Sequence, residues 1–115
     1  MVKVKRIYEP PSTDDGKRIL IDRLWPRGMK KEEARIDEWL KEISPSSELR
    51  KWYSHDPAKW PEFKKRYRAE IIKETGLLKR IKNEGKKGTV TLLFSTKELE
   101  LNNAVALKEI LEGIT

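Results

Sequence analysis

Three short stretches of this chain carry residue types able to bind or transfer charge. Asp22-Arg23-Leu24-Trp25-Pro26-Arg27-Gly28 combines a carboxylate with two guanidinium groups, set around an indole and a proline that stiffens the backbone. Guanidinium groups held in a fixed loop suit bidentate binding of phosphate or carboxylate, and a neighbouring indole face stacks a base or a ring. The second stretch, LRKWYSHDPAKW (49–60), contains His55, the one histidine of the chain. Its ordinary pKa allows proton transfer near neutrality, and Arg50 lies just before it. The third, Ser95-Thr96-Lys97, offers a hydroxyl as nucleophile or substrate donor, although no G-x-S-x-G elbow surrounds it. The site expected from these residues has His55, Ser95 and Asp22 in catalysis. Arg23, Trp25, Arg27, Arg50 and Asn102 bind the substrate.

Each of these residues also has a structural use. Arg23 can pair with a nearby carboxylate, Trp25 can fill the core, and Asp56-Pro57 reads first as the start of a helix, with the carboxylate as its cap. Asp22 ends an apolar run, where a carboxylate must be paired or functional. Trp52, Trp60, Phe63 and Tyr67 recur at helical spacing and read mainly as core, and the basic residues Lys64, Lys65, Arg66 and Arg68 read mainly as solvated surface. Zero cysteines exclude disulfides and thiolate chemistry, and a single histidine leaves no usual zinc ligand set. No phosphate-binding glycine motif is present, so neither a metal nor a cofactor is expected.

The elements that must position these groups follow from periodicity. VKVKRI (2–7) alternates apolar and basic residues, as an edge strand does, and RILIDRL (18–24) is an apolar run suited to a strand covered on both faces. From Met29 onward Ile36, Trp39, Leu40 and Ile43 fall at helical spacing and predict a helix that ends before Pro45. Ser44 with Pro45 predicts the start of a short helix carrying Leu49 and Trp52. Asp56-Pro57 predicts another, with the stripe Trp60, Phe63, Tyr67 and Ile71, running to about Thr75 and stopped by Gly76. A turn or two of helix over LLKRIKNEG leads into TVTLLFS (89–95), the strongest strand signal. Asn102 or Asn103 then caps a last helix whose Ala104, Leu107, Leu111 and Ile114 face inward.

Strands separated by helices over 115 residues predict a single α/β domain, 1–115, with a small, mainly parallel sheet and helices packed on it in a Rossmann-like, three-layer arrangement. Ligands of such sheets sit beyond the carboxyl ends of the strands, here at Asp22–Gly28 and Ser95–Lys97. The formal net charge of +7 favours anionic partners, either a small phosphorylated molecule or a nucleic acid. Charged residues at 39% with no glutamine fit a protein from a hot environment. No apolar leader or span of membrane length is visible, so a cytoplasmic protein off the membrane is expected, with room for a homodimer.

The strings RILIDRLWPRG (18–28), IDEWLKEISPSSELRKWYSHDPAKWPEFKKRYRAEI (36–71) and VTLLFSTKELELNNAVALKEIL (90–111) resemble the YeaO-like proteins of the domain-of-unknown-function family 488. D-R-L-W-P-R-G and H-D-P-x-x-W carry most of that likeness. The resemblance implies a compact α/β domain and a polar cluster built from Arg23, Trp25, Arg27, Arg50, Trp52, His55, Asp56, Trp60, Arg66 and Tyr67. It departs near the C-terminus, where Glu98 and Leu101-Asn102 stand in place of the family's common Asp and His-Asn, so a two-histidine proton relay has no second histidine here. The function expected is an enzyme on a small phosphorylated or nucleotide-like anion, with arginines binding and His55 as acid or base. The alternatives are a module that binds or processes nucleic acid and a non-catalytic partner-binding domain.

Overall fold

In the computed structural model, which describes residues 1–114, four parallel strands form one sheet in the order β1-β4-β2-β3. The apolar run Val90–Phe94 is β4, buried at every position, with partners on both sides. β1 (Val2–Arg6) pairs along one edge of it from Val2↔Val90 to Arg6↔Phe94, and β2 (Lys17–Leu20) along the other from Lys17↔Val90 to Leu20↔Leu93. β2 enters through Gly16, at φ 61°, where a Cβ would lie 2.1 Å from the Thr89 carbonyl oxygen; only glycine permits that approach.

The two faces of the sheet are covered unequally. Ile19, Ile21, Val90, Leu92 and Phe94 meet the main core, supplied by α2 (Ser47–Tyr53), α3 (Trp60–Ile71), α4 (Thr75–Lys87) and α5 (Asn103–Glu112). Leu20 and Leu93 face the other way, under a thin layer made by the one-turn helix α1 (Lys31–Ala34), Trp25, Met29, Ile36 and Trp39. The result is a three-layer α/β domain with a radius of gyration of 13.3 Å, matching the roughly 13 Å expected of a compact chain this long. No helix among the described residues is long and apolar enough to cross a membrane.

Three local expectations are corrected. Ile36, Trp39, Leu40 and Ile43 do not lie on one helix. Arg35, in the left-handed region at φ 46°, ends α1, and Glu38–Trp39 becomes the short edge strand β3 beside β2. Asp37 N–H donates to Arg18 O and Leu40 N–H to Leu20 O, so the open edge of β2 claims this segment. The apolar residues are then shared between faces, with Ile36 and Trp39 in the thin layer and Leu40 and Ile43 in the main core.

Gly76 is no stop. α3 ends at Ile71 and Gly76 lies in the first turn of α4, a full helix of 13 residues that buries Leu78 and Ile81. Ser44 is no cap either. Its Oγ donates to Leu40 O inside the core, and Ser46, held by Glu70, caps α2 through the Leu49 amide. By contrast Asp56 accepts from Ala58 N–H to start the Pro57–Lys59 turn before α3, and Asn102 caps α5 through Val105 N–H.

Candidate functional site

The strand ends of β2 and β4 are joined by a carboxylate. One oxygen of Asp22 accepts the Ser95 amide at 2.8 Å and the other accepts Asn103 Nδ2 at 3.0 Å, while Asn103 also donates to Ile21 O. This places the loops after both strands and the first residue of α5 in one arrangement. On the far side Arg6, at the end of β1, donates through Nε to Ser95 O and Thr96 O at 3.2 and 3.0 Å. The loop that follows β4 is thus held from two directions.

Beside it lies a cavity of about 290 Å³. Its floor includes Tyr53 and Phe63, stacked at 4.4 Å between ring centroids, and Asp22, Ser95, Thr96, Asn102 and Asn103 form the strand-end wall. Arg50, Lys51 and His55 stand on the α2 side and are exposed. Neither Arg50 nor Lys51 is ion-paired among the described residues. Tyr53 donates its hydroxyl to Leu101 O at 2.8 Å, and burial, with Glu98 and Asp56 nearby, raises its pKa.

His55 is held at the rim by backbone in an uncommon shape. α2 ends in Ser54 and His55, both left-handed at φ 44° and 56°, a conformation costing roughly 1–3 kcal/mol at a non-glycine residue. The Ser54 amide closes on Arg50 O and the Asp56 amide on Tyr53 O. His55 Nε2 comes 3.5 Å from Thr96 Oγ1, which already accepts the Glu98 amide. The Glu98 carboxyl titrates below its ordinary range, first because it accepts the Glu100 and Leu101 amides and then because His55 is near.

Of the residues singled out in the sequence, Asp22, Arg50, His55, Ser95 and Asn102 meet at this cavity. Asn102 meets it as a buried residue whose carbonyl caps α5 and whose amide donates to Glu98 O. Three others do not line it. Arg23 donates to Ser44 O and Pro45 O, which fastens its loop to the start of α2. Trp25 packs edge-on against Trp39 at 5.3 Å in the thin layer, with its indole N–H on Met29 O. Arg27 is exposed, and its carbonyl accepts the Tyr8 hydroxyl.

The wider cluster drawn from the family pattern is also divided. Tyr67 is fully buried with its hydroxyl on Ile43 O, so burial first, and then Asp22 and Glu70, push its pKa well up. Trp52 and Arg66 pair on the outer side of α2 and α3. Lys51, Tyr53, Asn103 and Arg6 are the residues that sequence reasoning missed, while Thr96 was legible only as part of the Ser95–Lys97 strand end. Position 103 was legible only as an alternative cap, and Arg6 only as one basic residue of an alternating strand. Among the described residues no group of three His, Cys, Asp or Glu side chains is placed to hold a metal.

Comparison with known proteins matches the chain almost from end to end. Residues 1–114 match the family model described as the inactive DUF488-N3 subclade. The chain is similar to the uncharacterized protein YeaO of Escherichia coli (strain K12), 42% identical over 113 residues and 98% of each chain. It is also similar to the uncharacterized protein Rv3073c of Mycobacterium tuberculosis (strain ATCC 25618 / H37Rv), 38% identical over 112 residues, covering 97% of this chain and 94% of that one. No solved structure matches. The chain therefore belongs to the DUF488 family as a YeaO-like protein.

Proposed function

We propose that the cavity at the ends of β2 and β4 binds a small phosphorylated or nucleotide-like anion, held by Arg50 and Lys51, with His55 and the Ser95-Thr96 loop supplying hydrogen bonds. The observation that carries this reading is the pair of unpaired cations at the rim of a concave site with an aromatic floor. An exposed cation elsewhere on a surface is unremarkable, but one that borders a cavity has a place for its counter-ion. A guanidinium supplies two parallel donors to a phosphate, and Tyr53 and Phe63, 4% and 2% exposed, close the bottom of the cavity.

Binding is favoured over an acid–base reaction by His55. Both oxygens of Asp22 are already taken by Ser95 and Asn103, Asp56 caps the next helix and Glu98 accepts the Glu100 and Leu101 amides, so among the described residues no carboxylate hydrogen-bonds the ring as a catalytic base requires. The description of the matching subclade as inactive supports the same choice. Titration of inorganic phosphate and of adenosine 5′-monophosphate, followed by amide chemical shifts, tests it. Shifts should appear at Ser95, Thr96 and Tyr53, and Arg50→Ala should weaken binding about tenfold while its melting curve stays within about 0.5 kcal/mol of the parent. Saturating ligand with no shift at these amides would overturn the reading, and turnover abolished by His55→Ala would restore a catalytic one.

A further inference from the structure

The cationic rim continues beyond the cavity. Lys51 is followed by Trp52, whose half-buried ring carries two more cations: the Arg66 guanidinium at 4.1 Å from the centroid and Lys59 Nζ at 5.1 Å. Lys59 is fixed there by a 2.8 Å bond to Trp52 O. Arg66 has one carboxylate partner, Glu62 at 3.0 Å, and both side chains are about half exposed, at 50% and 47%. Such a pair is screened by water and opens at little cost when a phosphate competes for the guanidinium. A strip of four cations, crossed by an indole, thus runs from the cavity over α2 to α3.

We propose that this strip binds the sugar-phosphate backbone of a single-stranded nucleic acid, one nucleotide of which enters the cavity. The proposal rests on the cavity reading above and names its ligand as one unit of a polymer. Neighbouring cations that continue outward from a cavity fit successive phosphates of one strand, with Trp52 holding Arg66 and Lys59 in place between them. At about 290 Å³ the cavity is at the small end of ligand sites, room for one nucleotide-sized group. A base paired in a duplex cannot reach a cavity without leaving its stack, so a single strand is the cheaper partner. An anionic membrane would match the charge but presents a flat surface to a concave site.

Fluorescence anisotropy with a single-stranded oligonucleotide of about 12 nucleotides, a duplex of equal length and anionic phospholipid vesicles, beside the adenosine 5′-monophosphate titration, tests the proposal. The single strand should bind at least tenfold tighter than the mononucleotide or the duplex. Four phosphate contacts at roughly 0.7 each predict a log–log salt slope near −3, or about fiftyfold between 50 and 200 mM. The double substitution Lys59→Ala with Arg66→Ala should weaken the oligonucleotide about tenfold and roughly halve the slope, while mononucleotide affinity holds. If the double variant melts differently, Arg66→Ala alone, which keeps the Lys59 tether, should remove about one quarter of the slope. A single strand that binds no tighter than the mononucleotide, the duplex or the vesicles, or a double variant that binds like the parent, overturns the strip and leaves the cavity reading standing. Failure of mononucleotide and oligonucleotide together overturns both.

Discussion

The two ends of the sheet treat charge in opposite ways. At the end where β2 begins, four cations meet acids. Asp15, 2% exposed, takes Lys5 at 3.0 Å and Arg18 beside it, and Lys17 and Arg80 share Glu38 and Glu84. At the end where the strands finish, the carboxylate of Asp22 meets neutral amides, and the cations Arg50 and Lys51 line the cavity with no ion pair among the described residues. Paired charge holds the layers together. Cations left unpaired around a concave surface keep their free energy for a ligand.

The largest expected effect tests the paired end. Asp15→Ala strands the guanidinium of Arg18, 4% exposed, and should cost about 3–5 kcal/mol in urea unfolding. A cost near that of a surface substitution would remove the contrast between the two ends. Acid should act there next. The Arg80 guanidinium, against some burial and with help from Lys17, holds the Glu38 carboxyl at about 2, below its ordinary 4.5. Burial raises the Asp15 carboxyl, but the Ser12 amide, Lys5 and Arg18 together bring it below its ordinary range. For both, the folded pKa lies under the unfolded one, so their stabilisation is present above the ordinary carboxylate range and falls with acid; for Glu38 it is lost as pH drops from 4.5 through about 2. For Glu38 that loss should be of order 1–3 kcal/mol, and Glu38→Gln should flatten the fall in stability across this window.

The other end should respond more weakly in stability. Asp22→Ala removes the acceptor for the Ser95 amide and for Asn103, at about 1–3 kcal/mol, and should loosen Ser95 and Thr96 in hydrogen exchange more than it does β4. The smallest effect should be a gain. His55→Gly relieves the left-handed strain at the rim against the entropy of an added glycine, for a net rise of about 0.5–1 kcal/mol, while ligand binding weakens. A loss of stability would mean that His55 serves the fold and not the cavity.

Much of the frame was legible because it depends on local rules. The apolar run 90–94 had to be a covered strand, Asp56 and Asn102 had the oxygen and the position to cap, and Phe63, Tyr67 and Ile71 kept one face of α3. The stripe at Ile36–Ile43 misled because helical spacing also arises when a chain crosses a sheet edge and drops residues on alternate faces. Gly76 misled because a glycine near a helix boundary can lie in the first turn of the next helix as readily as end the one before; its backbone does not turn left-handed.

By itself the sequence determined a parallel α/β domain and the strand-end loops that carry Asp22 and Ser95, since strand polarity and side-chain period suffice for that; the fold then decided that His55 lies beside them. Only the tertiary structure decided which arginine is free. Arg23 and Arg50 are chemically alike, but the Ser44 and Pro45 carbonyls come within reach of Arg23 and take its donors. Arg50, on α2, lines the cavity and makes no ion pair among the described residues. That difference depends on where distant backbone oxygens come to lie, and no spacing along the chain encodes it.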